Sequence, residues 1–250
     1  MPEKQLFGQK IVLSDVGAVD TYKEDISQMF RWMQNLALPQ NATILDIGAN
    51  IGIFSLSYAS MFKKAEIHCF EPVPFIYKYL RKNLEMNPNL SCNVHAHNLG
   101  MSNCLERKQL SIPVPQQHER YSKKLDNRLY SVFGQGEEKF EAQFIPLDKW
   151  VRESEISTVD FIKIDVEGYE YLVLEGATDT LRSFQPIVML ELNEMTLALS
   201  SRKADEYLRF ANDHGYRVFG LEYGYKNKLL KIVSVQQVSL ISDLILCPVL

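Results

Sequence analysis

ILDIGANIGIF, residues 44 to 54, is an apolar run that ends in an acid and passes through a glycine-bearing turn into a second apolar stretch. Ile44, Leu45 and Ile47 read as a buried parallel strand, while Gly48 and Gly52 free the backbone to bend sharply and let a ligand come close. Residues 53 to 62 continue as a helix whose N-terminal amides face that ligand. A Walker loop would place Lys and then Ser or Thr after the last glycine, and neither follows Gly52; the spacing is G-x-x-x-G, not the G-x-G-x-x-G of a dinucleotide loop. Pyrophosphate is therefore excluded as the expected cargo. Asp46 would repel a phosphate and attract a cation or hydrogen-bond donors, so Asp46, Gly48, Ala49, Asn50 and Gly52 suit a zwitterionic or positively charged ligand.

A second acid narrows the ligand. Residues 65 to 70, AEIHCF, read as the next strand, which ends in Glu71-Pro72, 25 residues beyond Asp46 (71 − 46). In α/β folds an acid at the tip of the second strand accepts hydrogen bonds from a ribose diol, so Glu71 implies a nucleoside. Pro72 and Pro74 bracket the start of a further helix over residues 75 to 86, since proline fits a first helical turn. A nucleoside with no pyrophosphate and a cationic tail describes S-adenosylmethionine.

ILDIGANIG, FEP at 70 to 72, LGMSN at 99 to 103, IPLDKW at 145 to 150 and above all VDFIKIDVEGYEYLVLEGA at 159 to 177 together resemble the FkbM family of S-adenosylmethionine-dependent methyltransferases. The likeness runs over residues 40 to 195. It implies an α/β fold of the Rossmann-like class I type: a central, mostly parallel seven-stranded sheet with an antiparallel C-terminal strand, helices on both faces and a β-rich insertion. It also implies methyl transfer with S-adenosylhomocysteine as product, most often to a hydroxyl, and adenine contacts from Asn98 and Leu99.

Periodicity places the elements. A short strand at 10 to 13 precedes a helix over 22 to 38, whose apolar residues Ile26, Met29, Phe30, Met33, Leu36 and Ala37 share one face. That helix either covers the cofactor or packs on the sheet edge. Strands and helices alternate to about residue 100, which implies right-handed crossovers and a parallel sheet. From 105 to 149 the alternation stops: β-like pieces at 109 to 114 and 139 to 145 flank the polar stretch QQHERYSKKLDNR at 116 to 128, an insertion beside the substrate site. Alternation resumes with a strand over 159 to 164, one helix over 169 to 182, a strand over 186 to 190 and a helix over 202 to 214; strands at 216 to 221, 229 to 235 and 243 to 247 close the sheet.

The 250 residues, 46% of them hydrophobic, suit a single domain over 1 to 250 with a large core. A net charge of −4 argues against general affinity for nucleic acid or acidic membrane. No apolar run reaches the ~18 residues of a membrane span, and MPEKQLFGQK lacks the apolar core of a signal peptide. Cys69, Cys92, Cys104 and Cys247 form no CxxC pair, so reduced thiols in a cytoplasm are expected. The end at Leu250 is compatible with a free-standing enzyme or a domain of a larger assembly.

Displacement at a sulfonium methyl requires an acceptor held near ~3 Å from the methyl carbon, and a hydroxyl acceptor also needs a base or a metal to take its proton. The candidates are the acids after the fourth and fifth strands: Asp165 and Glu167, then Glu191 with Asn193. Asp165 is the expected contact with cofactor or substrate. Asp165, Glu191 and Asn193 could instead hold a divalent cation such as magnesium, and Glu167 and Glu191 could serve loop amides. His68, His95 and His97 read as packed or surface histidines, whereas His118 lies in the insertion and is a candidate substrate-contacting base. Arg120, Lys123, Lys124 and Arg128 could draw an acidic substrate or an acidic carrier domain. The expected acceptor is a hydroxyl on a sugar, polyketide or peptide natural product, free or presented on a carrier protein or larger synthase. An N-methyltransferase and an inactive cofactor-binding module are the alternatives.

Overall fold

The computed structural model describes residues 3–6, 9–13, 32–34, 36, 38–112, 138–192, 197–198, 200–222, 228–231 and 243–249. Its centre is an eight-stranded sheet. Five strands run parallel: β3 (Thr43–Ile47), β4 (Glu66–Phe70), β5 (Val94–His97), β9 (Phe161–Ile164) and β10 (Ile187–Glu191). With β11 (Tyr216–Glu222), β12 (Lys228–Lys231) and β13 (Asp243–Pro248) the order is β12-β11-β13-β10-β9-β3-β4-β5. β13, the C-terminal strand, lies antiparallel between β10 and β11 as expected. The sheet has one strand more than the expected seven, because β12 pairs with the outer side of β11.

Every residue of β3 is buried, which explains why it is apolar except at Thr43 and Asp46: a central parallel strand is covered on both faces. Ile44, Ile67 and Phe161 pack under α1 (Ile53–Met61) and α2 (Pro74–Glu85). Leu45, Ile47, Ile162 and Ile164 face the opposite layer, with α3 (Leu147–Glu153), α4 (Glu170–Glu175), α5 (Thr178–Phe184) and α6 (Ala204–Asp213). Asp46 and Lys163 lie in register on the α1 face, where apolar residues would otherwise stand.

The single helix expected over 169 to 182 is two. Gly176 sits so close to β6 (Gly100–Met101) and the residues after it that a Cβ there would lie 2.1 Å from the Ser102 carbonyl oxygen. The chain breaks at that point, and the Asp148 carboxylate accepts the amides of Asp179 and Thr180 at 3.0 and 2.7 Å to start α5. Such side-chain acceptors replace the carbonyls missing from a helix's first turn.

The β-rich insertion is present as a three-stranded sheet of order β6-β8-β7, with β7 (Glu106–Ile112) and β8 (Glu138–Ile145) antiparallel. The polar stretch between them lies outside the described residues. β2 (Gln9–Val12) matches the expected first strand and pairs with an unforeseen β1 (Glu3–Leu6). Most of the helix expected over 22 to 38 lies outside the described residues; at its end Trp32 and Met33 are buried.

Candidate active site

The expected site residues that the structure describes converge at the carboxyl ends of β3, β4, β9 and β10. Gly48 and Gly52 adopt φ of 82° and 85°, and Asn50 between them is also left-handed at 52°. The glycines serve the protein's own packing as well as a ligand. A Cβ on Gly48 would lie 1.8 Å from the Asp165 carbonyl oxygen, and one on Gly52 would lie 2.4 Å from Leu80 Cδ1. The amides of Gly48 and Ala49 both donate to the Phe70 carbonyl, at 3.0 and 2.9 Å, which ties the turn to the tip of β4.

Glu71 stands at that tip and is 5% exposed. Its Oε2 accepts the Asn50 amide at 3.1 Å and its Oε1 the Val73 amide at 2.8 Å. A carboxylate has about four acceptor positions, so each oxygen keeps one for a diol. Burial pushes the Glu71 carboxyl up to about 7, partly countered by the Val73 and Asn50 amides. Asn98 donates its amide to the carbonyls of Glu71 and Pro72 at 2.8 and 3.1 Å, and so holds this strand tip in place. Leu99 is half-buried against the core on the α3 side.

Asp46 is wholly buried beneath the turn. Its Oδ2 accepts the Ser55 hydroxyl of α1 at 2.6 Å, while Oδ1 accepts no hydrogen bond from the described residues and faces the Lys163 ammonium at 3.9 Å. Lys163 Nζ donates to Asp165 Oδ2 at 2.8 Å and lies 4.5 Å from the centre of the Phe54 ring. Burial opposes the Lys163 charge, but Asp165 and Asp46 outweigh it and its pKa is raised. The lysine therefore joins the floor of the glycine turn to the acid after β9.

Glu191, at the end of β10, hydrogen-bonds Asp165, and that neighbouring acid, with burial, drives the Glu191 pKa up. Glu167 is left-handed at φ 52°, and burial, with Asp165 next, lifts its carboxyl to about 8. Asp243 of β13 adds a further acid beside Glu191. Among the described residues no group of three or more His, Cys, Asp and Glu side chains is arranged to hold a metal ion. Asn193 and His118 lie outside the described residues, as do Arg120, Lys123, Lys124 and Arg128.

Two buried charged residues beside these acids escaped the sequence reading. Lys163 carried a signal, because a lysine inside the fully buried FIKI strand must be paired. Glu170 is 0% exposed, and its Oε1 accepts the amides of Val166 and Gly168 at 3.3 and 3.0 Å. Nothing in spacing alone distinguishes it from any acid in a helix's first turn. The histidines on β4 and β5 are packed or at the surface, as expected: His68 and His97 stack on each other and meet Trp150 edge-on, with ring centres 5.0 and 5.2 Å from the indole, while His95 is exposed beside Glu66.

Residues 46–218 match the family model described as the Methyltransferase FkbM domain. Methyltransferase sdnD of Sordaria araneosa is 31% identical over 189 residues, covering 67% of this chain and 71% of that protein. The AMB antimetabolite synthetase AmbE of Pseudomonas aeruginosa is 27% identical over 212 residues, which are 73% of this chain but only 10% of the synthetase. A crystal structure of Methyltransferase FkbM from Methylobacillus flagellatus shares the fold at 16% identity and a TM-score of 0.53, covering 94% of this chain and 56% of that one. The glycine turn, the Glu71 strand tip and the DVEG turn all fall within the matched residues, and the chain belongs to the FkbM methyltransferase family.

Proposed function

We propose that this chain acts as one S-adenosylmethionine-dependent methyltransferase domain that methylates a hydroxyl of a small molecule. The cradle supports the cofactor: Glu71 keeps acceptor positions for a ribose diol, the glycine turn offers no phosphate-binding lysine, and the acids around Asp46 suit a cationic tail. Bound there, S-adenosylmethionine supplies a methyl group on a good leaving group. Asn98 and Leu99, which border the Glu71 tip, are the adenine side of the same cradle.

The observation that carries the hydroxyl reading is the carboxyl pair at the ends of β9 and β10. Asp165 is held by the Lys163 ammonium at 2.8 Å and lies beside the buried Glu191 carboxyl. A carboxyl aimed by two such partners can take the proton of an acceptor hydroxyl as the oxygen attacks. Lys163 already fills the cation position beside Asp165, which favours a direct base over a divalent cation at Asp165 and Glu191. The kinship with one tenth of an antimetabolite synthetase supports an acceptor from natural-product biosynthesis, presented on a carrier or larger synthase. The free cysteines fit a cytoplasmic setting.

The excess of acids over one buried lysine favours a second reading, transfer to an amine that binds as a cation. Calorimetric titration with S-adenosylhomocysteine, with chelator and with added magnesium, tests the cofactor; absence of binding in every condition refutes it. Hydroxyl and amine acceptors are then compared with Asp165→Asn. A loss of turnover larger than the loss of cofactor affinity supports the base. A pH–rate profile that follows the acceptor's own ionisation and ignores the substitution supports the amine.

A further inference from the structure

The turn that carries Asp165 and Glu167 has an unusual shape. Glu167 and Gly168 are consecutive left-handed residues, at φ 52° and 103°, and a glutamate adopts that conformation only under constraint. The bend turns the amides of Val166 and Gly168 inward, onto the single oxygen Oε1 of Glu170. The other oxygen, Oε2, is buried and accepts no hydrogen bond from the described residues. The same turn places the Asp165 carbonyl against Gly48, where no side chain fits.

We propose that Glu170 is a positioning residue for methyl transfer: by accepting two main-chain amides on one carboxyl oxygen, it locks the residue 165–168 turn in the shape that presents Asp165 to Lys163 and seats its carbonyl on the cofactor turn. This rests on the reading of Asp165 as the group facing the acceptor. The two amides need an acceptor oxygen, and Oε1 supplies one whether or not the carboxyl is charged. A glutamine reproduces that arrangement, with its carbonyl oxygen at Oε1. An alanine removes the acceptor, and an aspartate keeps the acid but withdraws it by one methylene.

The test compares Glu170→Gln, Glu170→Ala and Glu170→Asp by amide hydrogen exchange of the unliganded protein and by calorimetry with S-adenosylhomocysteine. Glu170→Gln should retain wild-type exchange and affinity. Glu170→Ala and Glu170→Asp should lose about tenfold or more protection at Val166 and Gly168, with β3 and β9 amides still protected, and should bind S-adenosylhomocysteine more weakly. Unchanged protection in both variants overturns the proposal. So does a glutamine variant as impaired as alanine, since charge would then be the requirement. Failure of both Ala and Asp variants to fold, with Gln intact, overturns a local role. Wild-type protein that does not bind S-adenosylhomocysteine refutes the cofactor reading, while the exchange pattern still decides what Glu170 does.

Discussion

Lys163 shows how one side chain can bind two parts of a site together. Its ammonium is buried between Asp46 and Asp165, so Lys163→Met strands two acids without a counter-charge. Breaking a buried pair from one side costs about 3 to 5 kcal/mol, and denaturant unfolding of Lys163→Met should show a loss of that order. A loss below ~1 kcal/mol would mean that water or another cation replaces it. Glu71, proposed above to hold the ribose, is bonded to the same turn through the Asn50 amide. Glu71→Ala should weaken S-adenosylhomocysteine by two charge-assisted contacts, each worth about 1.5 to 3 kcal/mol; unchanged affinity in calorimetry would remove the ribose assignment. Glu71 and Asp165 were legible because an acid at a parallel strand's carboxyl end has few structural uses. Lys163 was overlooked although its apolar flanks marked it as a buried lysine in need of a partner, and Glu170 was hidden because its partners are main-chain amides, which leave no mark in sequence.

Strands were easier to read than the breaks between helices. The apolar runs of β3, β9 and β10 are local statements about burial on both faces, and they survive without knowledge of the partner strands. The division between α4 and α5 depends on Ser102 and Asp148, distant residues that fix Gly176 and the first turn of α5. β12 was foreseen as a strand piece, but its place outside β11 is a property of the sheet. The histidines of β4 and β5 give this level its own test. Burial lowers His68 and His97 to about 4, while an unfolded histidine titrates near ~6.5. Between those values the unfolded chain binds more protons, so their effect is to reduce stability as pH falls from ~6.5 towards 4. His68→Phe, which keeps a ring beside Trp150, should flatten that loss relative to wild type in urea unfolding at pH 4.5 and 6.5. Parallel curves for the two proteins would contradict the assignment.

Across the whole molecule the raised carboxyls oppose the histidines, because their contribution begins to decline as pH rises past the 4.5 of the unfolded glutamates. Above ~6.5 the unfolded histidines are already neutral, and the buried carboxyls dominate. Glu71 and Glu170 titrate at about 7 and Glu167 at about 8, all raised above the 4.5 of a free glutamate, so the folded state holds protons that the unfolded chain has lost. Their contribution to stability declines as pH rises through this range and levels off above ~8. The thermal midpoint of unliganded protein should therefore fall between pH 6.5 and 8. A midpoint that rises over this interval in differential scanning calorimetry would show that these acids are ionised in the fold.

The contact of Gly48 with the Asp165 carbonyl has a consequence for how such an enzyme can diversify. The Gly48 backbone meets the Asp165 carbonyl there, so a side chain introduced at Gly48 would disturb the cofactor turn and the Asp165 turn together. We propose that acceptor specificity diversifies instead in the segment joining β7 to β8. A library confined to that segment should yield altered acceptor choice with cofactor affinity preserved, whereas one spread over the Gly48 contact should yield mostly inactive protein.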